Sequence, residues 1–319
     1  MTKSSQSKIL VFLPFLILIS ILLLPKTSST TEEIECPYLE FGDEYQVNTE
    51  TVEDQTYPNI APIGSENEKY IIVWTISQSA PTMSSSSSSS KHLQKQKIQN
   101  EEQDDYGIFA QMFDSSDGSK IGNEFQVNTY IESSQSDPSI TSIGAGNGKF
   151  VIAWDSNEQD GSGSAVIAQI FDSSDGSKIG NEFQVNNYTE SQQQNPSIAS
   201  IGTDNEKFVV VWQSNGQDGS YYGIIAQIFD SSDGSKIGNE FQVNNYTNNH
   251  QYSPSIASIG TNNEKFVIAW QSNGQDGSSY GIFAQIFDSS DGSKIGNEFQ
   301  VNNYTDNNQL DPGITSIGT

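Results

Sequence analysis

Four short apolar runs, separated by polar turn segments, recur along most of this 319-residue chain. In one copy they are Ser197–Ile201, Phe208–Trp212, Ile224–Phe229 and Phe241–Val243. The second run, FVVVW, is continuous and largely β-branched, which predicts a strand buried on both faces. In the fourth, Phe241 and Val243 alternate with Gln242 and Asn244, which predicts a half-exposed outer strand. The first run places Ser197, Ala199 and Ser200 around isoleucines, and small side chains suit a crowded place near a central axis. Thr203–Lys207 reads as a polar hairpin turn and Gln213–Tyr222 as a longer Gly/Asn/Asp loop. Asp230–Gly234, DSSDG, reads as a tight turn with a glycine available for positive φ. No segment keeps helical spacing over ten residues.

Trp74, Trp154, Trp212 and Trp270 mark the same place in four copies, 80, 58 and 58 residues apart. Gln169–Thr189, Gln227–Thr247 and Gln285–Thr305 are the same 21 letters. Four strands in a fixed repeat of this length predict a β-propeller blade. A chain of β-sandwich modules would need about 80–100 residues per module. The expected fold is therefore all-β, a propeller-like array of four-stranded antiparallel blades. Complete blades are expected at 57–128, 138–186, 196–244 and 254–302. A lone fourth strand at 41–48 precedes them, and a truncated blade at 312–319 follows. The count predicts an open arc, part of a longer ring, with an unpaired strand at each end that invites self-association. The first blade carries 22 extra residues within 78–104, including Ser84–Ser90 and the basic stretch Lys91–Lys97. Such composition reads as a flexible loop.

The segments FQVN-x-YT, WQSNGQDGS, GIxAQIFD and GxEFQVN resemble a tandem repeat of large secreted and surface proteins of bacteria and some protists. The resemblance covers residues 41–319. It implies a propeller-like fold and a role in adhesion or surface display rather than catalysis.

The N-terminus changes the expected compartment. Lys3 and Lys8 precede the apolar run Ile9–Leu24, followed by Pro25, Lys26 and Thr27–Thr30. This predicts a signal peptide over residues 1–29, then a linker over 30–40. An uncleaved anchor is the rival, although the apolar run is shorter than the roughly 20 residues a bilayer needs. Either way the repeats lie outside the cytosol. Cys36 is the only cysteine, so no intramolecular disulfide forms. The formal charge is −26, and every basic residue is lysine. That excess repels nucleic acid and anionic lipid. An extracellular protein or glycan is the expected partner, with membrane contact only through an uncleaved N-terminus.

Candidate chemistry is sparse. Asp160, Asp218 and Asp276, in S-N-x-Q-D-G loops, are calcium candidates because hard oxygen ligands at alternate positions suit that ion. Their glycine falls one residue late, and plain hairpin turns are the preferred reading, with no cofactor. Some propellers cleave glycosides with two acids facing a central cavity. Here the acids mostly recur once per blade, and repeated letters do not supply a singular site. The expectation is a non-catalytic binding, adhesion or scaffold protein. A calcium-stabilised scaffold and a glycoside hydrolase are the alternatives. Asn187, Asn245 and Asn303 open N-Y-T sequons at the same place in three blades. The four tryptophans end buried strands and are assigned to the core rather than to sugar stacking. His92 and His250 lie in no nucleophile motif. Sequence variety concentrates in the second-to-third and fourth-to-first connectors, which share one face, the expected binding face.

Overall fold

Strands form where the apolar runs were read, and the turns between them set the blade. The computed structural model describes residues 45–49, 54–78 and 105–316. The signal segment 1–29, the linker 30–40, Cys36, His92 and the body of the 78–104 insertion lie outside the described residues. Among the described residues, sixteen strands form four antiparallel sheets, each built from four consecutive strands. Blade 1 holds β1 (Gln55–Ile63), β2 (Lys69–Gln78), β3 (Asp105–Asp114) and β4 (Lys120–Gln126). Blade 2 holds β5 (Gln135–Ile143), β6 (Lys149–Asn157), β7 (Ser164–Asp172) and β8 (Lys178–Gln184). Blade 3 holds β9 (Gln193–Ile201), β10 (Lys207–Asn215), β11 (Tyr222–Asp230) and β12 (Lys236–Gln242). Blade 4 holds β13 (Gln251–Ile259), β14 (Lys265–Asn273), β15 (Tyr280–Asp288) and β16 (Lys294–Gln300). The architecture is that of a β-propeller.

The innermost strands differ from the sequence reading. β9 begins at Gln193, four residues before the expected Ser197, and carries Pro196 inside it. The proline is tolerated because the β9–β10 register slips between Val211 and Gln213, so the ladder asks for no N–H there. The residue before each such proline has positive φ: Tyr57 (53°), Asp137 (52°), Asn195 (54°), Ser253 (50°) and Asp311 (50°). Positive φ is costly for residues with a Cβ, and five such positions in one ring mark a place where packing holds the backbone under strain.

Blades pack face to face. Val151, Ala153, Val166, Ala168, Ile170 and Val185 of blade 2 meet Phe208, Val210, Trp212, Ile225 and Phe229 of blade 3. The four tryptophans are fully buried, Trp154, Trp212 and Trp270 in such joints and Trp74 beside Val47, as their place at the end of a two-sided strand predicts.

Two polar features lock the joints on the face opposite the variable connectors. Asn205 donates from Nδ2 to Asn147 Oδ1 (3.0 Å) and accepts at Oδ1 from Asn263 Nδ2 (3.0 Å), while Asn147 donates to Asn67 (2.9 Å). The result is a ladder of asparagines running across all four blades, each with φ between 50° and 57°. The DSSDG turn is the second lock. Gly234 has φ 76°, and a Cβ there would sit 3.1 Å from the Phe183 ring of the preceding blade. Lys149 Nζ also donates to the Ser232 carbonyl of that turn (2.7 Å). Invariance of DSSDG therefore reflects a blade-to-blade joint as well as a hairpin.

At the ends, Val47 is buried with Tyr70, Ile72 and Trp74, and Asn48 Nδ2 donates to Gln55 Oε1. Asn186 makes the same bond to Gln193 (3.2 Å). Residues 45–48 thus stand where a fourth strand ends in the other blades, although they are not part of a sheet. Ile314 packs with Val267, Ala269 and Ala284, the place of a first strand.

Candidate functional site

The first strands surround a cavity of about 590 Å³ lined by the five positive-φ residues and the prolines that follow them. It opens at the start of the first strands, the end of each blade that carries the variable connectors. The lining is not uniform, because the ring reads Tyr57, Asp137, Asn195, Ser253, Asp311 around the axis. Two carboxylates, Asp137 and Asp311, therefore reach one cavity from different blades.

A second ring of side chains lies on the adjoining strands at Thr75, Asp155, Gln213 and Gln271. Gln213 Oε1 accepts a hydrogen bond from the Ser253 N–H (3.2 Å), and Gln271 Oε1 accepts one from the Asp311 N–H (2.9 Å). Asp155 Oδ2 does the same for the Asn195 N–H (3.2 Å). The shared task is to hold the strained residue of the next blade. Neutral glutamine performs it twice, and only blade 2 uses an acid.

That acid is buried, 4% exposed, and its Oδ1 meets no N–H or O–H donor. What it does meet is the carboxyl of Asp137, paired beside it through the Ser136–Asp155 register. Burial, then repulsion from Asp137, pushes Asp155 well above the usual carboxylate range. Burial also raises Asp137, partly opposed by its bonds to Ser136 and Asp155. Two carboxyls in contact share a proton, and they titrate as a pair. The geometry thus yields one acid pair, with Asp137 facing the cavity and Asp155 behind it. Neither stands out in the sequence as a catalytic acid. The signal was present as an Asp where later copies have Gln, and as D-P where others have N-P or S-P.

A strip of rings adjoins the pair. Tyr221 and His250 lie 4.6 Å apart between centroids, His250 and Tyr252 4.9 Å and stacked within 12°, and Tyr222 and Tyr252 5.1 Å. Tyr280 continues it at 6.3 Å from Tyr252. The Tyr222 hydroxyl sits 3.4 Å from Gln194 Oε1, one residue from the Asn195 N–H that caps Asp155.

The residues singled out in the sequence fall elsewhere. Asp160, Asp218 and Asp276 each accept a bond at Oδ1 from the N–H two residues on, in Ser162, Ser220 and Ser278. Asp160 and Asp218 also reach Asn186 and Asn244 through Oδ2. They brace loops, and among the described residues no group of three His, Cys, Asp or Glu side chains is placed to hold a metal. Asp172 likewise accepts from Ser174 N–H and Oγ, which lowers its pKa. Asn187, Asn245 and Asn303 are exposed. Asn187 and Asn245 each accept at Oδ1 from a lysine of the next blade, Lys236 and Lys294 (2.6 Å each). No helix among the described residues is long and apolar enough to cross a membrane.

No protein-family profile and no curated protein sequence matches the chain. Solved structures do. The chain is similar to the Penicillium chrysogenum α-L-arabinanase complexed with arabinobiose, at 11% identity and a TM-score of 0.51. That match covers 77% of this chain and 66% of the enzyme. It is also similar to the GH93 α-L-arabinofuranosidase of Fusarium graminearum with arabinobiose, at 13% identity, a TM-score of 0.48, and 77% and 66% coverage. A third similar structure is the β-propeller domain of the Trilobed protease from Pyrococcus furiosus, with an open velcro topology. There identity is 10%, the TM-score 0.38, and coverage 78% and 57%. These likenesses define a fold.

They also correct the expectation of a non-catalytic adhesion or scaffold protein. The Penicillium protein that the chain is similar to is an α-L-arabinanase. Repeated letters do not supply a singular site, but at the axis one blade departs from the repeat and brings Asp137 and Asp155 together.

Proposed function

We propose that the chain is a propeller-type glycoside hydrolase whose reacting centre is the axial cavity. The observation that carries this reading is the singular acid pair of Asp137 and Asp155 at a cavity also lined by Asp311. Asp137 is the general acid, its pKa raised by burial and its proton shared with Asp155. Asp155 is a positioning residue that acts through Asp137. Asp311 is the second carboxylate, activating water. Asp137 gives its proton to the glycosidic oxygen as the bond from that oxygen to the anomeric carbon breaks. Water adds to the anomeric carbon and loses a proton to Asp311, so one glycoside and one water become two hydroxyl-ended sugars. No cofactor enters the balance. The arabinobiose in the similar Penicillium enzyme supports short pentose oligosaccharides as first substrates.

The test is reducing-end release from arabinan and arabino-oligosaccharides by the full chain. The same assay is run on Asp137→Asn and Asp155→Gln, which install the residues found at these places in other blades. The wild type releases sugar, and Asp137→Asn slows release by roughly 10²–10⁴-fold, the usual weight of a general acid. Equal rates for wild type and Asp137→Asn overturn the assignment. The reading includes secretion through residues 1–29 and glycosylation at Asn187, Asn245 and Asn303. In material from a eukaryotic host, an unchanged mass after deglycosylation removes the latter.

A further inference from the structure

The aromatic strip is not used by the chemistry above; Tyr222 and Tyr280 hold a repeat position that is also Tyr106 in blade 1, whereas Tyr221, His250 and Tyr252 depart from the repeat. Blade 2 has Gly163 and Ser164 where blade 3 has Tyr221 and Tyr222, and Gln192 and Gln194 stand where blade 4 has His250 and Tyr252. Rings therefore gather at one joint, between blades 3 and 4, on the face where the axial cavity opens. Tyr221 is 56% exposed, and Tyr222, His250, Tyr252 and Tyr280 are half-buried. Their polar ends are partly engaged: the Tyr222 hydroxyl donates to Gln192 Oε1 (2.5 Å), and the Tyr252 hydroxyl pairs with His250 Nδ1 (2.8 Å). Bonds of this kind fix the rings in place, so little side-chain freedom is lost when a ligand stacks on them.

We infer that this strip is a binding subsite for a neutral polysaccharide chain that leaves the axial cavity across blades 3 and 4. The inference rests on reading that cavity as the reacting centre. Three observations choose the ligand class. First, a run of tilted and stacked rings offers successive flat apolar faces, which match the C–H faces of consecutive sugar rings. Second, the strip begins next to the acid pair, through Tyr222, Gln194 and the Asn195 N–H on Asp155 Oδ2. A chain reacting at Asp137 is thereby led onto it. Third, a formal charge of −26 without any arginine disfavours uronic-acid and sulfated polymers. The strip therefore selects a neutral polymer longer than a disaccharide.

The test uses the full chain carrying Asp155→Gln, so that bound polymer is not consumed. Its affinity for neutral arabinan and for polygalacturonate is measured by gel retardation. Arabinan is expected to retard it and polygalacturonate not. Adding Tyr221→Ala or Tyr252→Ala is expected to weaken arabinan binding about tenfold, the loss of one stacking ring. An unchanged thermal midpoint in Tyr221→Ala, an exposed position, certifies folding. Arabinan affinity indifferent to both tyrosines, or tighter binding of polygalacturonate, overturns the inference. The two readings separate cleanly. Sugar release by the wild type with tyrosine-independent binding removes the subsite and keeps the hydrolase. Tyrosine-dependent binding without any sugar release keeps the subsite and removes the hydrolase.

Discussion

Replacing Asp155 with Gln is expected to make the protein more stable at neutral pH while removing activity. Asp155 is fully enclosed, one of its oxygens lacks a donor, and its closest charged neighbour is another acid. Gln213 and Gln271 show that glutamine fits the same place and keeps the bond to the strained N–H of the next blade. The substitution therefore retains the useful contact and removes an under-satisfied buried carboxyl, a group that costs about 1–3 kcal/mol. Taking about 2 kcal/mol, the thermal midpoint should rise by roughly 4–8 °C for an array of this size. The pH dependence has a defined sign. The folded pKa of Asp155 is raised above its unfolded value of about 3.9. Its protonation favours the native state below that value, and this contribution is lost as pH rises through the folded pKa. The gap between variant and wild type should be small in acid and widen toward neutral pH. Differential scanning calorimetry of both proteins across that range reads it directly. A variant less stable than wild type at neutral pH, or a gap that does not change with pH, refutes the account of the pair.

Other joints make separate predictions. Trp212→Ala empties a fully buried site between blades 2 and 3 and should cost about 3–5 kcal/mol in urea denaturation. Asn205→Ala removes two rungs of the asparagine ladder and places alanine at φ 53°. It should cost about 1–3 kcal/mol, and Asn205→Gly should cost less, because glycine accepts that φ. The turn carboxylates of Asp172, Asp175, Asp233, Asp288 and Asp291 have lowered pKa values through their serine partners. Their contribution is present above the ordinary aspartate value and disappears as pH falls through the lowered ones, so the joints loosen in acid. Chelation with EDTA at neutral pH should leave the thermal midpoint of the wild type unchanged, because Asp160, Asp218 and Asp276 are each engaged at Oδ1 by a loop N–H. A fall on chelation would restore the calcium reading.

Much of this was legible in the linear chain, and for a clear reason. Strand identity, the two-sided burial of FVVVW, the half-exposed fourth strand and the number of blades follow from local periodicity. Repetition presents the same local signal four times. The buried tryptophans follow too, since a residue ending a two-sided strand has no route to solvent. What periodicity cannot report is which departures from the repeat meet in space. Asp137 and Asp155 are 18 positions apart and look like ordinary substitutions in a polar stretch. Antiparallel pairing of β5 with β6 sets them side by side, and the axis turns Asp137 into a cavity. The ring of Tyr221, Tyr222, His250, Tyr252 and Tyr280 is assembled in the same way from two blades. The bulge at each proline also needed the tertiary structure, because strain at Asn195 is tolerable only while the adjoining strand β10 and the side chain of Asp155 hold it. Sequence alone determined the blades, since each blade is built from neighbours along the chain. Tertiary structure alone decided the site, since a carboxyl pair and an aromatic strip exist only where different strands and blades converge.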